Sequence, residues 1–135
     1  MDRLIYMDNA ATTPVHPEVY EAMKPYFSEV YSNPSAVYTF AGKAGRAVDE
    51  ARRTIASVIN AKPEEVYFTA GGSESDNWAI IGAAEGNCNK GKHIITTRIE
   101  HHAVLNTCKY LEKHGFEVTY LDVDKYGRVS PEDVE

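Results

Sequence analysis

Apolar residues along the chain follow two different spacings, which alternate in its second half. Helical spacing, with charged or polar residues on the opposite face, predicts helices over Pro17 to Phe27, Gly42 to Ile59, Ser73 to Gly86 and His102 to Leu111. Short β-prone runs predict strands at Val66–Thr69, His93–Thr97 and Glu117–Leu121. Asn60 and Gly115 are residues typical of helix ends.

Strands and helices alternate from Val66 onwards, and this order indicates right-handed βαβ units. The predicted fold class is therefore α/β, with a mostly parallel sheet flanked by helices. Ligands of such sheets bind at the carboxyl ends of the strands. Two junctions are consequently the places where function is expected: Thr69 to Ser73 and Thr97 to His102.

Composition narrows the class of protein further. The 135 residues carry a formal net charge of -6, which is not the basic footprint of a nucleic-acid-binding protein. The sequence has neither an apolar run of membrane-spanning length nor a signal peptide, so we expect no membrane partner. Cys88 and Cys108 are widely spaced, which favours reduced thiols in a cytoplasmic protein. Because Ser130–Pro131 begins a new helix near the last residue, we expect the chain to be truncated at its C-terminal end.

The first junction combines two glycines with a hydroxyl at a predicted helix start. Gly71 and Gly72 can take positive φ and carry no Cβ, and Ser73 stands three residues before Asp76, close to a capping-box spacing. The amides of a first helical turn favour an anion such as phosphate. The turn lacks the glycine patterns of dinucleotide sites and of Walker loops, so it predicts a site for one phosphate. An ordinary strand–helix turn with Ser73 as N-cap is the competing interpretation.

The second junction places a carboxylate and two imidazoles after a strand, at Glu100, His101 and His102. A histidine there can transfer protons near neutral pH or stack on a planar cofactor. Adjacent histidines do not share a helix face, so this cluster does not predict a metal site. A polar helix start with both histidines on the surface is the alternative interpretation.

Four motifs follow one another along the chain: Asp8 to Pro14, Ser32 to Ser35, Phe68 to Asn77, and Glu100 to Val104. Together they resemble the opening segments of the cysteine desulfurases, class V relatives of the aminotransferases that use pyridoxal phosphate. The resemblance covers nearly the whole chain. It implies a fold-type I enzyme, normally a homodimer, with residues 1–15 as an N-terminal arm and residues 16–135 as the N-terminal part of the cofactor-binding large domain.

The resemblance also implies roles for individual residues. Gly72 and Ser73 would bind the phosphate of pyridoxal 5'-phosphate, and the ring of His101 would stack on the pyridine of the cofactor. His101 would in addition transfer a proton during substrate activation, with His102 as its neighbour. Asn33 would lie close to the active site without a defined role.

The implied reaction converts L-cysteine to L-alanine and leaves the sulfur on an enzyme cysteine as a persulfide, for an iron–sulfur scaffold protein or a thiolation pathway. The lysine that holds the cofactor and the persulfide cysteine would both lie beyond residue 135, so the chain alone should be inactive. Lys90, Lys92, Cys88 and Cys108 do not occupy matching positions. Two other interpretations stay open: another class V enzyme, such as a selenocysteine lyase or an aminotransferase, and a non-catalytic module that retains the fold.

Overall fold

The computed structural model describes residues 5–135, which form two compact units that divide between Tyr67 and Phe68. The first four residues of the predicted N-terminal arm lie outside the described residues. The helices are α1 (Pro17–Met23), α2 (Pro25–Ser28), α3 (Ala41–Val58), α4 (Gly72–Gly86) and α5 (His102–Lys113), and the strands are β1 (His93–Thr97) and β2 (Glu117–Leu121). Short 3₁₀ turns occupy Pro63–Glu65 and Pro131–Asp133.

The first unit contains α1 to α3, and its first helix is shorter than predicted. A single helix from Pro17 to Phe27 was expected, but α1 ends at Met23 and α2 begins at Pro25. Pro25 has no N–H, and its ring clashes with the carbonyl one turn earlier, so it starts a new helix instead of continuing the old one. The prediction of one continuous helix is therefore wrong at this proline.

Helix α3 matches its prediction to within one residue at each end, and Asn60 follows it with a φ of 54°. Ala41, Ala44 and Ala56 are buried on one face of this helix. The loop before α3 lies close to the helix at Gly45. A Cβ added at Gly45 would be only 3.0 Å from the carbonyl oxygen of Pro34. A residue larger than glycine at that position would push the loop away.

The strand predicted at Val66–Thr69 does not form in the described part of the chain. This segment has extended backbone at Val66, with φ −104° and ψ 123°, but it pairs with no strand among residues 5–135. The buried Val66 carbonyl instead accepts a hydrogen bond from the Arg52 guanidinium of α3. An extended run needs a neighbouring strand to become part of a sheet, and a local sequence pattern does not supply that neighbour.

The second unit contains a parallel two-stranded sheet in which both strands have their predicted bounds. β1 and β2 pair in parallel from His93 with Glu117 to Thr97 with Leu121. Helix α5 connects the two strands and packs against both α4 and β2. This is the predicted α/β arrangement, with helices beside a parallel sheet.

The core of this unit lies along one face of α5. Ala103, Thr107, Cys108 and Leu111 are all buried there, at the i, i+4, i+5 and i+8 positions of an amphipathic helix. Gly115, with φ 85°, follows the helix and turns the chain towards β2. Within residues 5–135, none of the helices combines the length and the apolarity needed to span a bilayer.

Candidate functional site

The N-terminus of α4 presents several hydrogen-bond donors that have no partner within residues 5–135. The helix begins at Gly72, after an N-cap at Gly71, and its first backbone bond runs from the Ser75 amide to the Gly71 carbonyl at 3.1 Å. Among the described residues, the amides of Gly72, Ser73 and Glu74 and the hydroxyl of Ser73 have no acceptor. Unpaired amides at the positive end of a helix dipole are a binding site for an anion.

Gly72, Ser73 and Glu74, which carry these donors, are all exposed. Apart from its chain neighbours and the backbone of the helix itself, a Cβ added at Gly71 or Gly72 would meet no atom of residues 5–135 within 4 Å. The positive φ that the sequence suggested for these two glycines is not used: Gly71 is extended with φ 168°, and Gly72 is helical. Their contribution is the room that a missing Cβ leaves beside the amides.

Capping of α4 differs from the pattern predicted at Ser73 and Asp76. Ser73 is the second residue of the helix and Gly71 is its N-cap, so the competing interpretation of Ser73 as N-cap is wrong. The Glu74 carboxylate instead accepts a hydrogen bond from the Ala70 amide at 2.6 Å. This bond ties the turn to the helix, and it leaves the Ser73 hydroxyl available to a ligand.

His101 caps α5, and this fixes part of the chemistry of its ring. The residue has φ −60° and ψ 150°, and its Nδ1 accepts a hydrogen bond from the Ala103 amide at 3.1 Å. A neutral ring that accepts at Nδ1 carries its proton on Nε2. The ring is exposed, and its Nε2 has no hydrogen-bond partner among the described residues. His101 can therefore offer a ring face and an Nε2–H donor to a ligand.

His102 is the first residue of α5, and its ring centroid lies 6.2 Å from that of His101 at an interplanar angle of 51°. The two rings are therefore not stacked on each other. The strand end that leads into them is held by two contacts. The Thr97 hydroxyl donates to Glu100 Oε1 at 3.1 Å, and Arg98 Nε forms a 2.8 Å ion pair with Asp122 Oδ1.

A side-chain bridge joins α4 to α5 one turn after each helix begins. Asn77 Nδ2 donates to the Ser73 carbonyl at 2.5 Å, and the Thr107 hydroxyl lies 2.7 Å from Asn77 Oδ1. The same hydroxyl lies 2.7 Å from the Ala103 carbonyl. The sequence interpretation did not identify Asn77 or Thr107 as functional, because thirty positions separate them and only the packing of α4 on α5 brings them together.

Cys108, a thiol within α5, is unsuited to nucleophilic catalysis. Burial, followed by the negative charges of Glu112 and Glu100, raises the pKa of the Cys108 thiol. A buried thiol with a raised pKa is a poor nucleophile. Within residues 5–135, no group of three or more His, Cys, Asp or Glu side chains is arranged to hold a metal ion.

The three predicted site residues all belong to the second unit. Gly72 and Ser73 begin α4, and His101 begins α5, the helix that packs against α4. Asn33 belongs to the first unit, where its side chain accepts a hydrogen bond from the Ser35 amide at 3.0 Å. Its predicted proximity to the site stays a prediction, as do the predicted bounds of the N-terminal arm and the large domain.

Comparison with known proteins identifies relatives over nearly the whole chain. Residues 5–135 match the family described as aminotransferase class-V. The chain is 56% identical over 133 residues to cysteine desulfurase IscS of Methanosarcina thermophila, which covers 98% of this chain and 33% of that protein. It is 53% identical over 135 residues to cysteine desulfurase IscS of Clostridium botulinum, of which it covers 34%. The chain thus spans about a third of the length of these curated relatives.

Solved structures show the same fold. A structure described as SspA in complex with cysteine superposes with a TM-score of 0.85 at 47% identity, over 93% of this chain and 36% of that one. A NifS-like protein superposes with a TM-score of 0.88 at 40% identity, over 93% of this chain and 35% of that one. These likenesses confirm the predicted α/β fold of fold type I. Class V aminotransferases and cysteine desulfurases depend in general on pyridoxal phosphate.

Proposed function

We propose that this chain, which belongs to the aminotransferase class-V family, supplies the phosphate-binding part of a pyridoxal-phosphate-dependent cysteine desulfurase. The observation that carries the proposal is the first turn of α4, where three amides and the Ser73 hydroxyl lack partners among the described residues and belong to exposed residues. The relatives named cysteine desulfurase support the choice of reaction within the family.

The donor set fits a phosphate group. A phosphate monoester near neutral pH carries close to two negative charges and offers several acceptor oxygens. The amides of Gly72, Ser73 and Glu74 and the Ser73 hydroxyl would donate to those oxygens, and the positive end of the α4 dipole adds to the attraction. Glu74 opposes it with a negative charge, which its bond to the Ala70 amide holds within the same turn. We take this as a cost that the four donors outweigh.

His101 would contact the ring of the cofactor. Its exposed imidazole is fixed at Nδ1 by the Ala103 amide, so the ring face and Nε2 are the parts left for a ligand. The face would stack on the pyridine. Because the neutral ring carries its proton on Nε2, proton exchange with the bound amino acid at that atom would require the Nδ1 bond to the Ala103 amide to break. When bound, pyridoxal phosphate supplies an electron sink for chemistry at the carbon atoms of an amino acid.

The proposed substrate is L-cysteine, and the sulfur acceptor is a protein thiol. L-cysteine and an enzyme thiol would yield L-alanine and an enzyme persulfide, so one sulfur atom moves and no external oxidant or reductant is needed. One structural relative is described as a complex with cysteine, which supports this substrate class. An iron–sulfur scaffold protein or a thiolation pathway would then receive the sulfur. A homodimer in the cytoplasm is part of the same proposal.

The test is a product assay on the protein as its gene encodes it, loaded with pyridoxal phosphate. We expect alanine to form from cysteine, with release of one sulfide for each alanine when a reducing thiol is present. Turnover only with an amino acid and a keto acid would replace desulfuration by another class V activity. Absence of any cofactor binding would favour a non-catalytic module.

Two substitutions of His101 make the assay specific for this site. His101→Asn keeps an acceptor that can cap α5 and removes the aromatic ring, whereas His101→Phe keeps a ring face and removes both ring nitrogens, including the Nδ1 that caps α5. We expect both variants to lose turnover, and only His101→Asn to lose the absorbance perturbation of a stacked cofactor. Wild-type turnover in either variant would remove His101 from the proposed mechanism.

A further inference from the structure

The bridge between Asn77 and Thr107 connects the two helix ends that carry the proposed site. Asn77 follows Ser73 by one turn of α4, and Thr107 follows Ala103 by one turn of α5. Ser73 belongs to the proposed phosphate site, and the Ala103 amide holds the ring of His101. Each side chain of the bridge therefore contacts a first-turn carbonyl of its own helix as well as the other side chain.

The directions of the hydrogen bonds follow from the acceptors. The Ser73 carbonyl cannot accept from an oxygen that carries no proton, so the amide nitrogen of Asn77 faces Ser73 and Oδ1 faces Thr107. Only the Thr107 hydroxyl can then donate to Oδ1, at 2.7 Å. The Ala103 carbonyl lies at the same 2.7 Å from that hydroxyl, so the single proton of Thr107 has two acceptors, and the one at Oδ1 joins the two helices.

The bridge is sheltered from solvent. Thr107 is 2% exposed and Asn77 is half-buried, and no buried side-chain nitrogen or oxygen among the described residues lacks a partner. A sheltered hydrogen bond keeps one geometry, because breaking it leaves a polar group without water. This distinguishes the bridge from the exposed contacts at the strand ends.

We propose that Asn77 and Thr107 are positioning residues that hold the start of α4 against the start of α5, so that one ligand can contact the phosphate site and His101 together. This inference rests on the proposed function. A ligand held at two places gains affinity because its second contact is made at high effective concentration, and that gain depends on a fixed separation. Each half of the ligand, bound by itself, does not need that separation.

The experiment compares a whole ligand with its two halves. Binding constants for pyridoxal phosphate, pyridoxal and inorganic phosphate are measured on the full gene product and on its Thr107→Val variant, which keeps the shape of the side chain and removes the hydroxyl. Thr107→Ser restores the hydroxyl and serves as the matched control. Loss of one sheltered hydrogen bond corresponds to about a fivefold to tenfold change in an equilibrium constant.

We expect Thr107→Val to weaken the binding of pyridoxal phosphate about fivefold to tenfold and to leave the binding of pyridoxal and inorganic phosphate unchanged. Thr107→Ser should bind all three ligands as the wild-type protein does. The ³¹P resonance of the bound cofactor should broaden in the valine variant, because its phosphate samples more than one position. Asn77→Ala removes the other member of the bridge and should repeat the result if the valine variant does not fold.

Other results overturn the proposal. If the binding of all three ligands weakens equally, the substitution destabilises the protein in general. If the binding of inorganic phosphate weakens as much as that of pyridoxal phosphate, the bridge only shapes the turn at the start of α4. Unchanged binding of every ligand would leave the bridge without a role in binding. Failure of the wild-type protein to bind pyridoxal phosphate would instead overturn the proposed function, and this inference with it.

Discussion

Replacing Ser73 by alanine removes one hydroxyl from the first turn of α4 and leaves the backbone donors in place. That hydroxyl has no partner among the described residues, so its loss breaks no bond within the second unit. The change therefore acts on a bound anion and not on the fold. We expect Ser73→Ala to weaken the binding of pyridoxal phosphate to the gene product.

The expected size follows from the exposure and the charge of the contact. A hydrogen bond to a charged group contributes roughly 1.5–3 kcal/mol, and an exposed one belongs near the lower limit. Because Ser73 is exposed, we take about 1.5 kcal/mol, which corresponds to an approximately tenfold weaker affinity. The amides of Gly72, Ser73 and Glu74 remain and should preserve measurable binding.

Titration of the visible absorbance of the bound cofactor measures this affinity, and Ser75→Ala is the matched control. Ser75 lies in the same turn, but its hydroxyl already has partners, at 2.7 Å from the Thr69 hydroxyl and 3.4 Å from the Gly71 carbonyl. Pyridoxal, which has no phosphate, provides the second control. We expect Ser73→Ala to affect pyridoxal phosphate alone, and Ser75→Ala to affect neither ligand.

Two results would refute this reasoning. Equal weakening of pyridoxal and pyridoxal phosphate by Ser73→Ala would show that the hydroxyl does not act on the phosphate. A larger effect of Ser75→Ala than of Ser73→Ala would show that the contact with Thr69, and not the free hydroxyl, determines the site.

Two further predictions concern charge and thiol chemistry. Glu74→Gln keeps an acceptor for the Ala70 amide but removes a negative charge, so the cofactor should bind about twofold to fivefold tighter at low salt. If the variant and the wild-type protein have the same cofactor affinity at every salt concentration, this prediction is wrong. Burial and then the charges of Glu112 and Glu100 raise the pKa of Cys108, so a thiol reagent near neutral pH should label the exposed Cys88 and spare Cys108, as peptide mass mapping can check. Because the folded state favours the protonated Cys108 thiol, its contribution to stability is present at neutral pH and is lost as the pH rises through the raised pKa.

The sequence was sufficient for elements with a strong local pattern. β1 and β2 have their predicted bounds, because each is a β-prone run with clear ends. Pro25 in the sequence marks the break between α1 and α2. The apolar residues around it nevertheless keep a helical spacing, and that spacing predicts one continuous helix. The Val66 segment has the composition of a strand but joins no sheet among the described residues. Its pairing depends on a neighbouring strand, which a local sequence pattern does not specify.

The candidate site divides in the same way. The location of Gly72, Ser73 and His101 at the starts of helices follows from local glycine, serine and histidine signals. The competing interpretation of Ser73 as N-cap is wrong, because α4 begins one residue before Ser73 and its N-cap is Gly71. The bridge of Asn77 and Thr107 was not foreseen, because each residue alone has the pattern of an ordinary helix position.

The parallel register of the sheet also determines where the chain can change its length. Thr97 ends β1 opposite Leu121, and Arg98 to Glu100 are the only residues between that strand and the His101 cap. An insertion there must bulge outwards or rotate the start of α5 by about 100°, which would break the Nδ1 contact with Ala103. The loop between Gly86 and His93 is polar and exposed, and it ends at no capping histidine. Insertions and deletions in homologous chains should therefore collect between α4 and β1, while the link from β1 to α5 keeps a constant length.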